Sequence, residues 1–267
     1  MNLSFLKVRV ADCSWILFDR LSSPRDELDS AEGEGLWATI ARDICSRSRG
    51  AAADGIAVVR REAGAATIET WDGAGAVEPP TPVSVICASR LLFDAGIAGA
   101  ESMQLLSPSG PNEVMVIDSR NFGMAVGEPL REDGKALVDI FGKYGPGLSS
   151  RAGSGIVVPL MLGGESFEVA LFDRPPERRH GRRSGRIEAL AVSRHELRVR
   201  KGGHDPVVAA AAAAAAAIVA DYADRELAVV VGGDELVVQW PEDGPVFVAA
   251  APSYCFSGEF WIGESML

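Results

Sequence analysis

Nine consecutive alanines, Ala209 to Ala217, lie inside an apolar run from Val207 to Ala220 that stops at Asp221. Alanine is the strongest helix former, and its methyl group loses no rotamer freedom when a helix forms. Asp205-Pro206 stands directly before the run. This is a capping carboxylate followed by proline at the first helical position, where a missing N–H costs nothing. The run is apolar all round, so its helix has to be buried all round. A helix of bare methyl groups is thin and suits a place where strands close in on every side. At 14 residues the run is shorter than the roughly 20 that cross a bilayer.

Thr81-Pro82 opens a second helix with the same cap and proline, reaching Phe93 and closing at Gly96. It too is apolar around most of its circumference. Two amphipathic helices are expected besides: Leu36 to Arg47, with Leu36, Ile40 and Ile44 on one face, and Asp133 to Tyr144, with Leu137, Ile140 and Phe141. Most of the rest reads as short strands bounded by Gly, Pro, Asp or Ser. They run over Met1–Val10, Trp15–Asp19, Gly55–Arg60, Ala66–Trp71, Glu113–Ile117, Ile156–Leu162, Phe167–Phe172, Arg186–Val192, Glu196–Arg200, Leu227–Val231, Glu235–Trp240 and Pro245–Ala250. Residues 63–64, 232–234 and 242–244 read as hairpin turns. Strands flank each apolar helix in sequence. The expected fold is α+β: two pseudo-symmetric lobes, each a curled, mostly antiparallel sheet around one central helix.

Charge narrows the function. The 267 residues carry 26 Lys and Arg against 37 Asp and Glu, a net charge of −11, which argues against nucleic-acid binding. The one basic cluster, arginines 174, 178, 179, 182, 183 and 186, is broken by Pro175, Pro176, Gly181 and Gly185. It reads as a solvated loop or an anion site. Cys13, Cys45, Cys87 and Cys255 form no Cys-x-x-Cys pair, and His180, His195 and His204 show no ligand spacing. No metal site is expected. Arg9 and Asp12 come too early for a signal peptide, so the expectation is a soluble cytoplasmic protein with no membrane partner.

Four stretches carry a family likeness: Phe5 to Asp19 (FLKVRVADCSWILFD), Ile44 to Gly55 (ICSRSRGAAADG), Cys87 to Gly96 (CASRLLFDAG), and the closing segments Gly233–Trp240, Gly244–Val248 and Ala251–Glu259. In this order the chain resembles diaminopimelate epimerase and its pyridoxal-independent relatives along its whole length. The resemblance implies no cofactor, a small-molecule ligand in an interlobe cleft, and a homodimer. It also implies an N-terminal lobe of 1–118 with 259–267 returning to it, and a C-terminal lobe of 119–258. The family's chemistry uses two thiols facing each other across the cleft, each at the start of a central helix. One removes an α-proton and the other delivers a proton to the opposite face.

At those places the chain departs from the pattern. Counting back from Cys87 puts the first thiol position at Thr81, and counting forward from Val199 puts the second at Ala210. Neither can be a thiol base, so two-thiol epimerisation is not expected. The family's substrate-holding asparagines fall near Cys13, Glu165 and Arg186. A replacement catalytic set is offered by His204, Asp205 and Thr81. Asp205 and Thr81 also read as plain helix caps, His204 as a solvent-facing residue, and Cys13 as core. Cys87 reads as core, and Asp54-Gly55 as a structural turn. Two functions stay open: an isomerase, lyase or cyclase type of enzyme on a small metabolite, or a non-catalytic binding or assembly protein on the same fold.

Overall fold

The computed structural model describes residues 2–22, 31–97, 99, 101–131, 133–135, 137, 156–175 and 185–263. The helix expected over 133–144 and the middle of the arginine-rich stretch fall almost wholly outside these residues. The chain divides into two compact units, Met1–Phe122 with Ala251–Leu267, and Gly123–Ala250. Residues 251–258 thus go with the first unit.

In unit 1 the strands are β1 (Asn2–Val10), β2 (Cys13–Arg20), β3 (Gly55–Glu62), β4 (Ala65–Asp72), β5 (Val77–Glu78), β6 (Ser102–Ser107), β7 (Gly110–Val116) and β16 (Ser253–Trp261). They run in the order β16-β1-β2-β3-β4-β6-β7, with β5 beside β4. Helix α1 (Ala31–Ile44) covers one face of this sheet and α2 (Pro82–Asp94) packs against β1, β2, β3, β4, β6 and β7. The α1 seam is Trp37, Ile40, Ala41 and Ile44, an i, i+3, i+4, i+7 stripe. Leu36, expected in that seam, is only partly buried. Trp37 lies 5.0 Å from Phe18 and 6.0 Å from Trp71, centroid to centroid.

In unit 2 the strands are β8 (Phe122–Gly127), β9 (Ile156–Leu162), β10 (Glu165–Phe172), β11 (Ile187–Ser193), β12 (Glu196–Arg200), β13 (Glu226–Val231), β14 (Asp234–Gln239) and β15 (Val246–Ala250). Their order is β8-β15-β14-β13-β12-β11-β10-β9. Helix α3 (Pro206–Val219) touches every strand from β9 to β15. All nine alanines of the tract are fully buried, as the all-round apolar pattern requires. No helix among the described residues is long and apolar enough to cross a membrane.

Most neighbouring strands are antiparallel, but β2–β3, β4–β6, β10–β11 and β12–β13 are parallel. Parallel neighbours need a crossover connection, and α1, α2 and α3 each supply one, between β2 and β3, β4 and β6, and β12 and β13. The tight hairpins follow their turn residues. Ala63-Gly64, Gly163-Gly164 and Gly232-Gly233 all have positive φ at both positions, which matches the twist of the strands they join.

Because seven strands close on α3, extra volume there has nowhere to go. Ala213→Leu is expected to cost about 1–3 kcal/mol by overpacking. That lowers the melting temperature by about 2–4 °C per kcal/mol, read by thermal circular dichroism. A variant melting with the wild type would show that the methyl packing is loose.

Candidate functional site

The start of α3 gathers several of the sequence candidates. Asp205 is the N-cap, its Oδ1 accepting from Val207 N at 2.8 Å and Val208 N at 3.2 Å. His204 precedes it, half-buried, its ring packed edge-on against Phe167 at 5.1 Å. The His204 Nε2 lies 2.8 Å from the Gly185 carbonyl oxygen. A carbonyl only accepts, so Nε2 carries the hydrogen. Nδ1 is then the ring atom left to take up or release a proton.

Arg186 follows Gly185, and its guanidinium donates to Glu168 Oε2 through Nη2 (2.7 Å) and Nε (3.2 Å). Gly202 closes the group. Its φ is +62°, and a Cβ there would stand 2.2 Å from the Arg186 carbonyl oxygen. Gly185 N also donates to Gly202 O at 3.1 Å. The 185–186 segment and the 201–204 turn thus clasp each other over β10, where Phe167 backs the imidazole and Glu168 holds the guanidinium. His204 and Asp205 adjoin at the start of α3, whereas the Arg186 guanidinium, held by Glu168, lies on the opposite face of β10 from Phe167 and the imidazole; Glu165 sits exposed at the start of β10, beside the 163–164 turn.

Ala210 is not at a helix start. It is the fifth residue of α3 and fully buried. The position that matches Thr81, a cap followed by proline, is Asp205. Gly202 and Gly203, at φ +62° and +102°, turn the chain into the helix ahead of that cap.

In unit 1, Thr81 caps α2, its Oγ1 accepting from Ser84 N at 3.3 Å. The fully buried Ser84 returns a bond from Oγ to Thr81 O at 2.8 Å. Cys13 opens β2 and is buried, after the turn in which Ala11 has φ +54°. Asp54 is structural: its Oδ2 accepts from Ser14 N at 2.7 Å and its N donates to Ser14 O at 2.8 Å. Cys87 is fully buried in α2. Cys45 is also buried, and that burial, with Asp54 and Asp72 adding to it against Lys7, pushes its thiol up to about 12. It is an inert thiol near neutrality. No group of three potential metal ligands occurs among the described residues.

One carboxyl group escaped the sequence reading. Glu78 lies in β5, three residues before Thr81, and its carbonyl accepts from the buried Thr70 Oγ1 at 2.6 Å. Burial, and then Asp72, raise its carboxyl above the ordinary value. The signal was present in Glu78-Pro79-Pro80-Thr81-Pro82, where three prolines fix the carboxyl's distance from the helix. A raised carboxyl favours the fold while protonated, and that contribution is lost as pH climbs through its folded value. Glu78→Gln is therefore expected to melt above the wild type by a margin that grows from about pH 4 to about pH 7. Parallel melting curves across that range would contradict it.

No protein-family model matches the chain. A curated relative, O-ureido-serine racemase of Streptomyces lavendulae, is 26% identical over 260 residues, covering 87% of this chain and 90% of the relative. Among solved structures, a phenazine biosynthesis protein of the PhzF family from Enterococcus faecalis superimposes with a TM-score of 0.65 at 11% identity, over 98% of this chain and all of that one. A hydroxyproline epimerase from Agrobacterium vitis, with bound trans-4-hydroxy-L-proline, gives 0.56 at 10% identity over 97% and 92%. The fold is therefore that of PhzF and hydroxyproline epimerase, the diaminopimelate epimerase-like α+β fold.

Proposed function

We propose that this chain is a cofactor-independent enzyme of the isomerase type acting on a small, carboxylate-bearing metabolite, with an imidazole in place of a thiol as its proton carrier. The observation that carries this reading is His204, whose Nε2 is held by Gly185 O and whose ring is backed by Phe167. In the reading proposed, Nδ1 is the atom that exchanges the proton. The named relatives act in the same general chemistry: one is a racemase, another a hydroxyproline epimerase, a third a methylitaconate-delta-isomerase.

Two-thiol inversion fits poorly with Thr81 and Asp205 at the two helix starts. Asp205 moreover takes up the first N–H groups of α3, which would otherwise bind a substrate carboxylate. In the reaction proposed, a carbon-bound proton passes to Nδ1, and its electron pair is held by conjugation with an adjacent carbonyl. A proton, exchanged with solvent while it sits on Nδ1, then returns at the other face or at a neighbouring carbon, so no oxidant is needed. Asp205, as the cap of α3, fixes the helix start that follows His204, and Glu165, which shares the Phe167 face of β10, is the proposed ligand-contacting residue.

The test is carbon–hydrogen exchange. The full chain is incubated in D2O with a panel of amino, hydroxy and unsaturated carboxylic acids, and each C–H signal is followed by NMR, beside a thermal-shift screen. Exchange in one compound that stops with His204→Gln supports the reading. A compound that raises the melting temperature yet exchanges no hydrogen makes the chain a binding protein instead.

A further inference from the structure

The face of the unit 2 sheet turned away from α3 departs from the usual alternation of apolar inside and polar outside. On β12, Leu197 and Val199 are buried on the side packed against α3, so Arg198 and Arg200 stand exposed on the outer face. The register carries that face across the neighbouring strands. Phe172 lies beside Leu190, Leu190 beside Arg198, and Arg198 beside Val230. Residues paired in this way share a face, so one arginine sits in the middle of an apolar row four strands wide. Phe172 in that row is buried, and Leu190 and Val230 are half-buried. Phe167, which backs His204, faces the other side of the sheet.

Over this row lies a hollow of about 330 Å³, lined by the same four side chains, Glu188, Arg200 and the Gly232-Gly233 turn among others. That volume falls within the range of small-molecule sites. Its charge is opposite to that of the molecule. The chain is at −11, yet two arginines and one glutamate line the hollow. Glu188 is committed to Arg200, its Oε2 accepting from Nη1 at 2.9 Å. Arg198 has one ion pair among the described residues, from Nε to Glu196 Oε1 at 3.2 Å, with its side chain 64% exposed. Exposed pairs of this kind contribute little. Both terminal nitrogens of Arg198 are therefore at the disposal of a ligand.

We propose that this hollow is a second ligand site, on the opposite sheet face from His204, for a small organic carboxylate with a flat apolar body. The guanidinium fork of Arg198 takes the carboxylate in bidentate geometry, and Arg200 adds its charge from the same face. The body of the ligand covers Leu190 and Val230 and abuts Phe172. One net positive charge in the lining matches a singly charged carboxylate better than a doubly charged phosphate ester. A bare inorganic anion would leave the apolar row in water and forgo the gain from covering it.

The test is amide NMR on the full chain titrated with 1-naphthoate, beside 1-naphthylmethylamine and inorganic phosphate as comparison probes. Naphthoate is expected to shift the amides of residues 188–190, 198–200 and 230–233. The amine and the phosphate should bind about tenfold more weakly or less. Arg198→Met keeps an unbranched side chain and removes the charge. It should weaken naphthoate about tenfold or more at an unchanged melting temperature. Val230→Glu, which sets a competing carboxylate beside Arg198, should do the same. His204→Gln should leave the affinity as it is, so the result is read separately from the reaction proposed above. Shifts confined to residues 165–167 and 202–205, an affinity indifferent to Arg198→Met, or equal binding of the amine overturns the proposal. So does a naphthoate that fails to bind at millimolar concentration.

Discussion

His204→Gln is expected to slow turnover by about 10²–10⁴-fold, the usual contribution of a positioned acid or base, while the protein melts close to the wild type. A glutamine amide can still donate to the Gly185 oxygen that Nε2 reaches at 2.8 Å. What it lacks is a ring nitrogen that can take up and release a proton. His204→Ala removes the bond and the packing on Phe167 as well, so it should cost turnover and also about 0.5–1.5 kcal/mol of stability. The readout is the deuterium-exchange rate beside a melting curve. Full turnover in His204→Gln would take the imidazole out of the mechanism, whatever its effect on the fold.

Gly202→Ala is expected to be the most damaging conservative change in unit 2. At φ +62° a side chain pays about 1–3 kcal/mol of backbone strain. The added Cβ would also stand 2.2 Å from a backbone oxygen of Arg186, which cannot rotate aside. Gly203→Ala is the control: its φ is +102°, yet nothing lies within 4 Å of its Cβ, so it pays strain alone. Gly202→Ala should melt several degrees below Gly203→Ala. It should also lose hydrogen-exchange protection at the Gly185 N–H, which bonds Gly202 O. Equal melting of the two variants would show that the clasp over β10 yields easily.

The sequence made much of this fold legible where a residue type has only one use. Thr81-Pro82 and Asp205-Pro206 mark both central helices because proline fits a helix only in its first turn. Gly232-Gly233 fixes a hairpin because its two positions need positive φ. Strands with weaker patterns were missed: β6 (SMQLLS) and β8 (FGMAVG) mix polar, small and apolar residues, and only their neighbours in the sheet define them. Strand β16 was expected only as a returning strand near 259–267 and not over Ser253–Trp261, because its apolar residues face outward, the reverse of the usual cue. At the site, the residue types at the start of α3 were readable, but its clasp was not. It depends on Gly202 meeting Arg186 and His204 meeting Gly185, contacts between segments that no local pattern encodes. That Ala210 lies inside α3 rather than at its start was equally hidden: a uniform alanine tract gives counting nothing to hold on to.

That uniformity has a consequence for how the protein can change. A rod of nine methyl groups shows its surroundings one profile at every rotation, so inserting one more alanine would turn the following residues by about 100° and advance them about 1.5 Å without altering what the strands meet midway. The whole mismatch would be delivered to Tyr222, Ala223 and Asp224, where the chain rejoins β13 through bonds such as Asp224 N to Arg194 O at 2.8 Å. A change in the length of the tract is therefore policed at the exit of the helix rather than along it.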